Sequence, residues 1–498
     1  MNVNPITRLD YPDPDVIRVE DTYYMVSTTM HFMPGCEILQ SFDLVHWEHV
    51  TYVYETLDHT DAQQLKSGQN IYGQGMWAAS LRYHEGRFCI CFVANDTRKT
   101  YLYTSEKIDG PWKKQLIEGF YHDGSLLFDE DGRNYIVYGN DEIWITELNE
   151  DLTAPKKDGL HRLLVSDHKN PELGYEGSHI QKINGYYYIF LIHSLRDRWM
   201  RTEACFYSDS LEGEFTGGDV LCDDRGYCGQ GVAQGGIVDT PDGKWYAMLF
   251  QDSGAVGRIP ILVPVTWKDH FPFFGQNGHV PEEIEVHSTR PGYIYQPLVG
   301  SDDFCNGLLP HWQFNHDPDP RYYHLDALQG TYTITTREVC TELTQAVNTL
   351  TQRMGYPSCA AEVTVDVSAM KEGDVAGLCA LQSCYAAVGI TKHHGKYEVL
   401  MLDKKEDGIL DMTEGTVVES HQMDFRLEAD FCNMKDEARC YYRVNKGDWL
   451  PIGTVHKLYF KLDHFTGCRF GLFCYATEET GGSACFRDFK YYDVDEIS

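Results

Sequence analysis

Asp123-Gly124-Ser125-Leu126-Leu127-Phe128-Asp129-Glu130-Asp131-Gly132-Arg133-Asn134-Tyr135 sets an acid, a short apolar stretch and an acid-led turn in a row, and the turn runs into a second apolar stretch. That order predicts two antiparallel strands joined by a tight turn, with the acid just ahead of the first strand. The layout occurs four more times. Turns begin at Asp21, Glu85, Asn184 and Asp242, and eight residues before them stand Asp13, Trp77, Glu176 and Gln234, as Asp123 stands before Asp131. Four residues after each of these five positions the chain is apolar, at Ile17, Leu81, Leu127, Ile180 and Val238.

Repetition at roughly 45 to 65 residues marks a propeller or solenoid. Five units predict a five-bladed β-propeller, whose innermost strands surround one axis, so the five phased positions form a ring. Three of the five are carboxylates, Asp13, Asp123 and Glu176. Each precedes a small or turn-forming residue, Pro14, Gly124 or Gly177, rather than lying in a charged run.

The repeat ends after Trp267, and residues 270–300 are rich in Pro, Gly and His. Alternating segments follow, such as Thr331-Tyr332-Thr333-Ile334-Thr335 and Ala361-Glu362-Val363-Thr364-Val365-Asp366-Val367. Short strands with turn signals over nearly 200 residues predict a β-sandwich. The chain therefore reads as all-β, with a propeller over 1–300 and a sandwich over 301–498.

The 498 residues carry a net charge of −33, which argues against nucleic acid and anionic membranes as partners. No run of about 18 apolar residues occurs, and none opens the chain, so the expectation is a cytoplasmic protein. The sixteen cysteines include no Cys-x-x-Cys pair, and reduced core thiols are expected.

On an idealised five-fold ring, non-adjacent members are about 1.6 times as far apart as adjacent ones. Asp123 and Glu176 are on adjacent blades and Asp13 faces them from two blades away. Neighbouring carboxyls resist double ionisation, which suits Glu176 to carry a proton as general acid while Asp123 tunes it. Asp13 is then the residue to activate water. Carboxyls about 6.5 to 9.5 Å apart give glycoside hydrolysis with inversion, and about 5 to 5.5 Å would give retention. Trp77 serves either as core or as an apolar wall for a sugar, and Gln234 either as a solvated turn residue or as a two-way hydrogen-bonding partner.

At these residues the chain resembles glycoside hydrolase family 43. The motifs are Asn4-Pro5-Ile6 with Tyr11-Pro12-Asp13-Pro14-Asp15, Asp123-Gly124-Ser125-Leu126 and Glu176-Gly177-Ser178-His179, together with Ser41-x-Asp43-Leu44-x-x-Trp47. The resemblance implies Asp13 as general base, Asp123 as pKa modulator, Glu176 as general acid and Arg258 as a ligand of sugar hydroxyls. It implies an exo-acting β-xylosidase or α-L-arabinofuranosidase on short oligosaccharides, in which the sandwich closes one side of the pocket, and an assembly into homo-oligomers. Met30-His31-Phe32-Met33-Pro34-Gly35 stands where relatives carry pocket aromatics, so Met30 and Phe32 are read as substrate contacts. Some relatives hold a hydrated calcium through a fifth-blade histidine. Ala233 and Gln234 occupy that stretch here, which leaves a channel calcium open and no metal required for catalysis. The alternatives are a retaining fructan-type propeller, whose middle acid follows an arginine where this chain has Tyr121-His122, and a propeller that binds carbohydrate without cleaving it.

Overall fold

The computed structural model of the protein describes residues 3–493, and among them there are strands and short 3-10 turns but no α-helix. Blade one is built from Asp15–Val19, Thr22–Val26, Gly35–Ser41 and Glu48–Tyr54. Blade two is Met76–His84, Arg87–Ala94, Lys99–Ser105 and Lys113–Ile117. Blade three is Ser125–Phe128, Asn134–Asn140, Glu142–Leu148 and His161–Ser166. Blade four is Glu176–Ile183, Tyr186–Ser194, Arg201–Ser208 and Thr216–Leu221. Each forms a four-stranded meander in chain order. Second strands such as Phe88-Cys89-Ile90-Cys91-Phe92-Val93-Ala94 are apolar without a break because both faces are covered by neighbouring blades, and all seven residues are buried.

Blade five divides its innermost strand into Val232–Ala233 and Ile237–Asp239, both paired with Trp245–Asp252, and adds Arg258–Lys268 and Phe271–Phe274. Gln234 takes a left-handed φ of 63° at the break. A Cβ on Gly235 would lie 1.8 Å from the Met248 carbonyl, so only glycine fits there.

Side chains near the channel lock one blade to the next. Asp15 Oδ2 accepts from Leu81 N at 2.7 Å, Ser80 Oγ from Leu126 N at 3.1 Å, and Ser125 Oγ from Ile180 N at 3.0 Å. Gln181 Nε2 continues the series to Ile237 O at 2.8 Å. The ring closes where the amino-terminal segment lies along blade five: Ile6 N donates to Pro260 O, Tyr11 N to Arg258 O and Leu262 N to Asn4 Oδ1.

The sandwich packs a nine-stranded sheet on a seven-stranded one around one apolar core. Its larger sheet includes a strand of the propeller: Phe32–Met33 pairs with Gln313–Asn315 at the edge. Arg353, from sandwich strand Leu350–Arg353, enters the propeller and donates from Nε to Asp10 O at 2.9 Å and from Nη1 to Glu37 Oε2 at 2.8 Å. Burial alone would raise the Glu37 carboxyl, but Arg353 and His49 outweigh it and hold it down at about 2. All sixteen cysteines are free.

Candidate active site

The ring predicted by the repeat opens on a pocket of about 710 Å³, and Asp13, Trp77, Asp123, Glu176, Gln234 and Arg258 all line it. The backbone aims these side chains in two ways. In blades one, three and five the ring residue itself is left-handed, with φ of 53° at Asp13, 47° at Asp123 and 63° at Gln234. In blades two and four the left-handed residue comes one later, at Ala78 and Gly177, and the strand pairing shifts there between Trp77 and Ser80 and between Glu176 and His179. Gly177 is also pressed against its neighbour, since a Cβ would lie 2.7 Å from Cδ of Gln234.

Asp13 is buried and receives hydrogen bonds on both oxygens. Thr28 Oγ1 donates to Oδ2 at 2.6 Å, and Arg258 Nη1 donates to Oδ1 at 3.0 Å. Thr28 Oγ1 itself accepts from Ala78 N at 2.8 Å, so its single proton is directed at Asp13. Asp13 is thus held as an acceptor in a fixed direction, which a carboxylate base requires.

Asp123 is buried beside Glu176. Burial chiefly, with the Glu176 and Asp13 charges adding to it and His122 opposing it, raises the Asp123 carboxyl to about 6. Its Oδ2 accepts from Gly177 N at 2.9 Å. Glu176 Oε2 accepts from Asn140 Nδ2 at 2.6 Å. His122 Nε2 stands 3.6 Å from Asp123 Oδ2 and 3.5 Å from Glu176 Oε2, distances of ion pairs rather than hydrogen bonds. Asp123 above all raises His122 to about 9, so His122 is a cation at neutral pH. Thr28, Asn140 and His122 were not assigned roles by the repeat. Only His122 had a sequence signal, its place directly before Asp123.

The sandwich supplies Met434, Phe460, Leu462 and Phe465 to the pocket lining. Phe465 is the innermost: its ring lies 5.6 Å from that of Trp77, and the Arg258 guanidinium lies 4.2 Å from its centroid. Two bonds across the domain boundary fix the segment that carries it. Gly467 N donates to Asp10 Oδ2 at 2.8 Å and Cys468 N to Ala255 O at 2.8 Å.

Met30 and Phe32, expected as substrate contacts, are placed outside the pocket lining. Met30 is buried and bridges to Met76 through paired backbone hydrogen bonds. Phe32 belongs to the strand that joins the sandwich, and the Arg469 guanidinium covers its ring at 3.5 Å. After Met30 the chain pairs with the second domain, which places Phe32 at the seam, while Met30 stays bridged to blade two.

Two places bring together groups that could hold a metal. The ligand atoms of His122, Asp123 and Glu176 lie within 4.8 Å of one another, and since Asp123 holds His122 protonated, a metal there would have to displace that proton. Beneath them, Asp15 Oδ1 is buried without a hydrogen-bond partner, 3.7 Å from Nε2 of His179. Burial lowers the His179 pKa, and its Nδ1 faces Gly177 O at 2.9 Å, so Nε2 presents a lone pair toward Asp15. Two facing acceptors fit a donor between them. The adjoining cavity measures about 10 Å³, room for a single water at most and not for a calcium ion with its own hydration shell.

A five-bladed propeller with three acids converging on a pocket, roofed in part by a β-sandwich, defines a glycoside hydrolase. The profile of glycosyl hydrolases family 43 matches residues 3–272, and that of the β-xylosidase C-terminal concanavalin A-like domain matches 301–492. The chain belongs to glycoside hydrolase family 43. It is 27% identical to a β-xylosidase of Formosa agariphila over 99% of this chain and 89% of that protein. A bifunctional GH43-CE protein of Bacteroides eggerthii is 43% identical with a TM-score of 0.92, the match covering 99% of this chain and 64% of that one. The chain therefore spans about two thirds of that bifunctional protein. A GH43 enzyme engineered to show both endo-xylanase and exo-arabinofuranosidase activity is 28% identical, with a TM-score of 0.86 and 99% of both chains covered.

Proposed function

We propose that the protein is an inverting exo-glycosidase that releases β-D-xylosyl or α-L-arabinofuranosyl residues from the ends of plant-derived xylo- and arabino-oligosaccharides. The observation that carries this reading is the pairing of environments. Asp13 accepts two hydrogen bonds on blade one, while Glu176 sits with Asp123 and His122 across the pocket. The names of relatives, a β-xylosidase and an α-L-arabinofuranosidase among them, support both sugars. In this reading Glu176 protonates the departing oxygen and Asp13 takes a proton from the attacking water, which adds to the opposite face of the sugar. Asp123 lies beside Glu176 and fixes the strand that carries it through the Gly177 N–H.

Arg258 and Gln234 supply hydrogen bonds to hydroxyls, and Trp77 with Phe465 covers the apolar face of the ring. No step of the reaction runs through a metal, and treatment with EDTA should leave kcat unchanged. The free cysteines support a reducing, cytoplasmic location.

Assay with nitrophenyl β-xyloside and nitrophenyl α-arabinofuranoside tests the substrate class, and turnover of neither would refute it. Early-time NMR of the released sugar tests the stereochemistry. A β-xyloside should first yield α-xylose, and first release of the β anomer would replace inversion with retention.

A further inference from the structure

The pocket is larger than its catalytic floor. A pentosyl unit has about nine heavy atoms, and at the roughly 30 Å³ that a water molecule occupies in the liquid it fills at most about 270 Å³. The 710 Å³ available therefore extend well past the bond to be cleaved. The floor is made by buried groups, Asp13, Gln234 and Arg258. The outer part is made by two exposed apolar side chains from different domains, Trp199 at 45% exposure and Leu462 at 75%.

Both are held in place. Trp199 lies in the blade-four loop between Tyr186–Ser194 and Arg201–Ser208, where Met200 N donates to Ser194 Oγ at 2.7 Å. The Arg201 guanidinium stands 5.3 Å from the indole. Leu462 lies on a sandwich segment backed by Gly73 of the propeller, where a Cβ would come within 2.8 Å of the Leu462 carbonyl. Exposed apolar groups on fixed backbone beside a polar floor mark a surface that waits for an apolar face.

We infer that Trp199 and Leu462 form a clamp for the leaving group, selecting one whose ring presents a flat apolar face, either the C–H face of a sugar or an aryl ring. This rests on the glycosidase reading above. The two side chains determine specificity and take no part in bond cleavage.

The test compares Trp199→Ala and Leu462→Ser with the native enzyme on xylobiose, nitrophenyl β-xyloside and β-xylosyl fluoride, whose leaving group is one atom. The expected result is a fall of about tenfold or more in kcat/KM for Trp199→Ala on the ring-bearing substrates, mostly through KM, and a smaller one for Leu462→Ser. The fluoride should be unaffected, which shows the variants are folded. Loss on xylobiose alone assigns the clamp to a sugar, loss on the nitrophenyl substrate alone to an aryl group, and loss on both to either. Unchanged kcat/KM on both ring substrates, or an equal loss on the fluoride, overturns the proposal. If the native enzyme cleaves only nitrophenyl α-arabinofuranoside, the same comparison is made with the arabinofuranosyl counterparts of the three substrates; if it cleaves neither set, it is the glycosidase reading that fails.

Discussion

The backbone N–H of Gly177 donates to Oδ2 of Asp123 at 2.9 Å, so the residue following Glu176 is fastened to the carboxylate of the neighbouring blade. One carboxylate thus sets the position of the other. Because burial lifts Asp123 from its ordinary value of 3.8 to about 6, the cost of its charge to stability builds as the pH rises between those two values and is complete above about 6. Asp123→Asn should lower kcat by about a hundredfold or more yet raise the unfolding free energy at pH 7.5 by on the order of 2 kcal/mol. That gain should vanish near pH 4, where the native carboxyl is already neutral. Denaturant melts at the two pH values check both signs.

Glu176→Ala removes the proton donor. Turnover of xylobiose should drop by about 10²- to 10⁴-fold, whereas an aryl glycoside with a good leaving group should keep much more of its rate. Equal losses on both substrates would count against Glu176 as the acid.

Phe465→Ala strips the ring from one side of Arg258 and one side of Trp77. The expected outcome is a KM raised by about tenfold with a smaller effect on kcat, corresponding to roughly 1–2 kcal/mol of cation–π and apolar contact. Steady-state kinetics on a single substrate suffices.

Arg353→Met leaves Glu37 buried without its cation at the domain boundary. A loss of about 3–5 kcal/mol is expected. The double variant with Glu37→Leu should recover much of it, which separates the orphaned charge from lost packing. Thermal or chemical unfolding of the native protein and the two variants gives the comparison.

His31, His316 and His464 meet Tyr72 at the same boundary, with the His464 and Tyr72 rings stacked 3.9 Å apart. Burial lowers all three pKa values, that of His464 to about 4. Their neutral forms suit the fold, so the stability they allow is present above pH 6.5 and is lost as the pH falls from there toward 4. His464 alone accounts for up to about 3 kcal/mol of that loss. His464→Phe keeps the stack and should flatten the pH dependence of the unfolding free energy in that window, as measured by urea titration.

Spacing along the chain was enough to reveal five blades, the turns at Asp21, Glu85, Asp131, Asn184 and Asp242, and the three acids, because a hairpin is a local object. A turn eight residues past a ring position fixes which side chain faces the axis, whatever lies elsewhere. The half-turn of difference at Ala78 and Gly177 was not legible, since it depends on how each inner strand pairs with its partner. Contacts with distant chain decided the remainder. Met30 and Phe32 lie at a point where the chain leaves blade one; the backbone bridge to Met76 fixes the first, and only the edge of the sandwich sheet determines that the second goes to the seam. Phe465, more than 200 residues after Arg258, reaches the pocket because Asp10 and Ala255 hold the segment after it and Arg353 fills the boundary below. Periodicity records what each blade does to itself. The fit of two domain surfaces has no period, and only the folded chain brings its residues together.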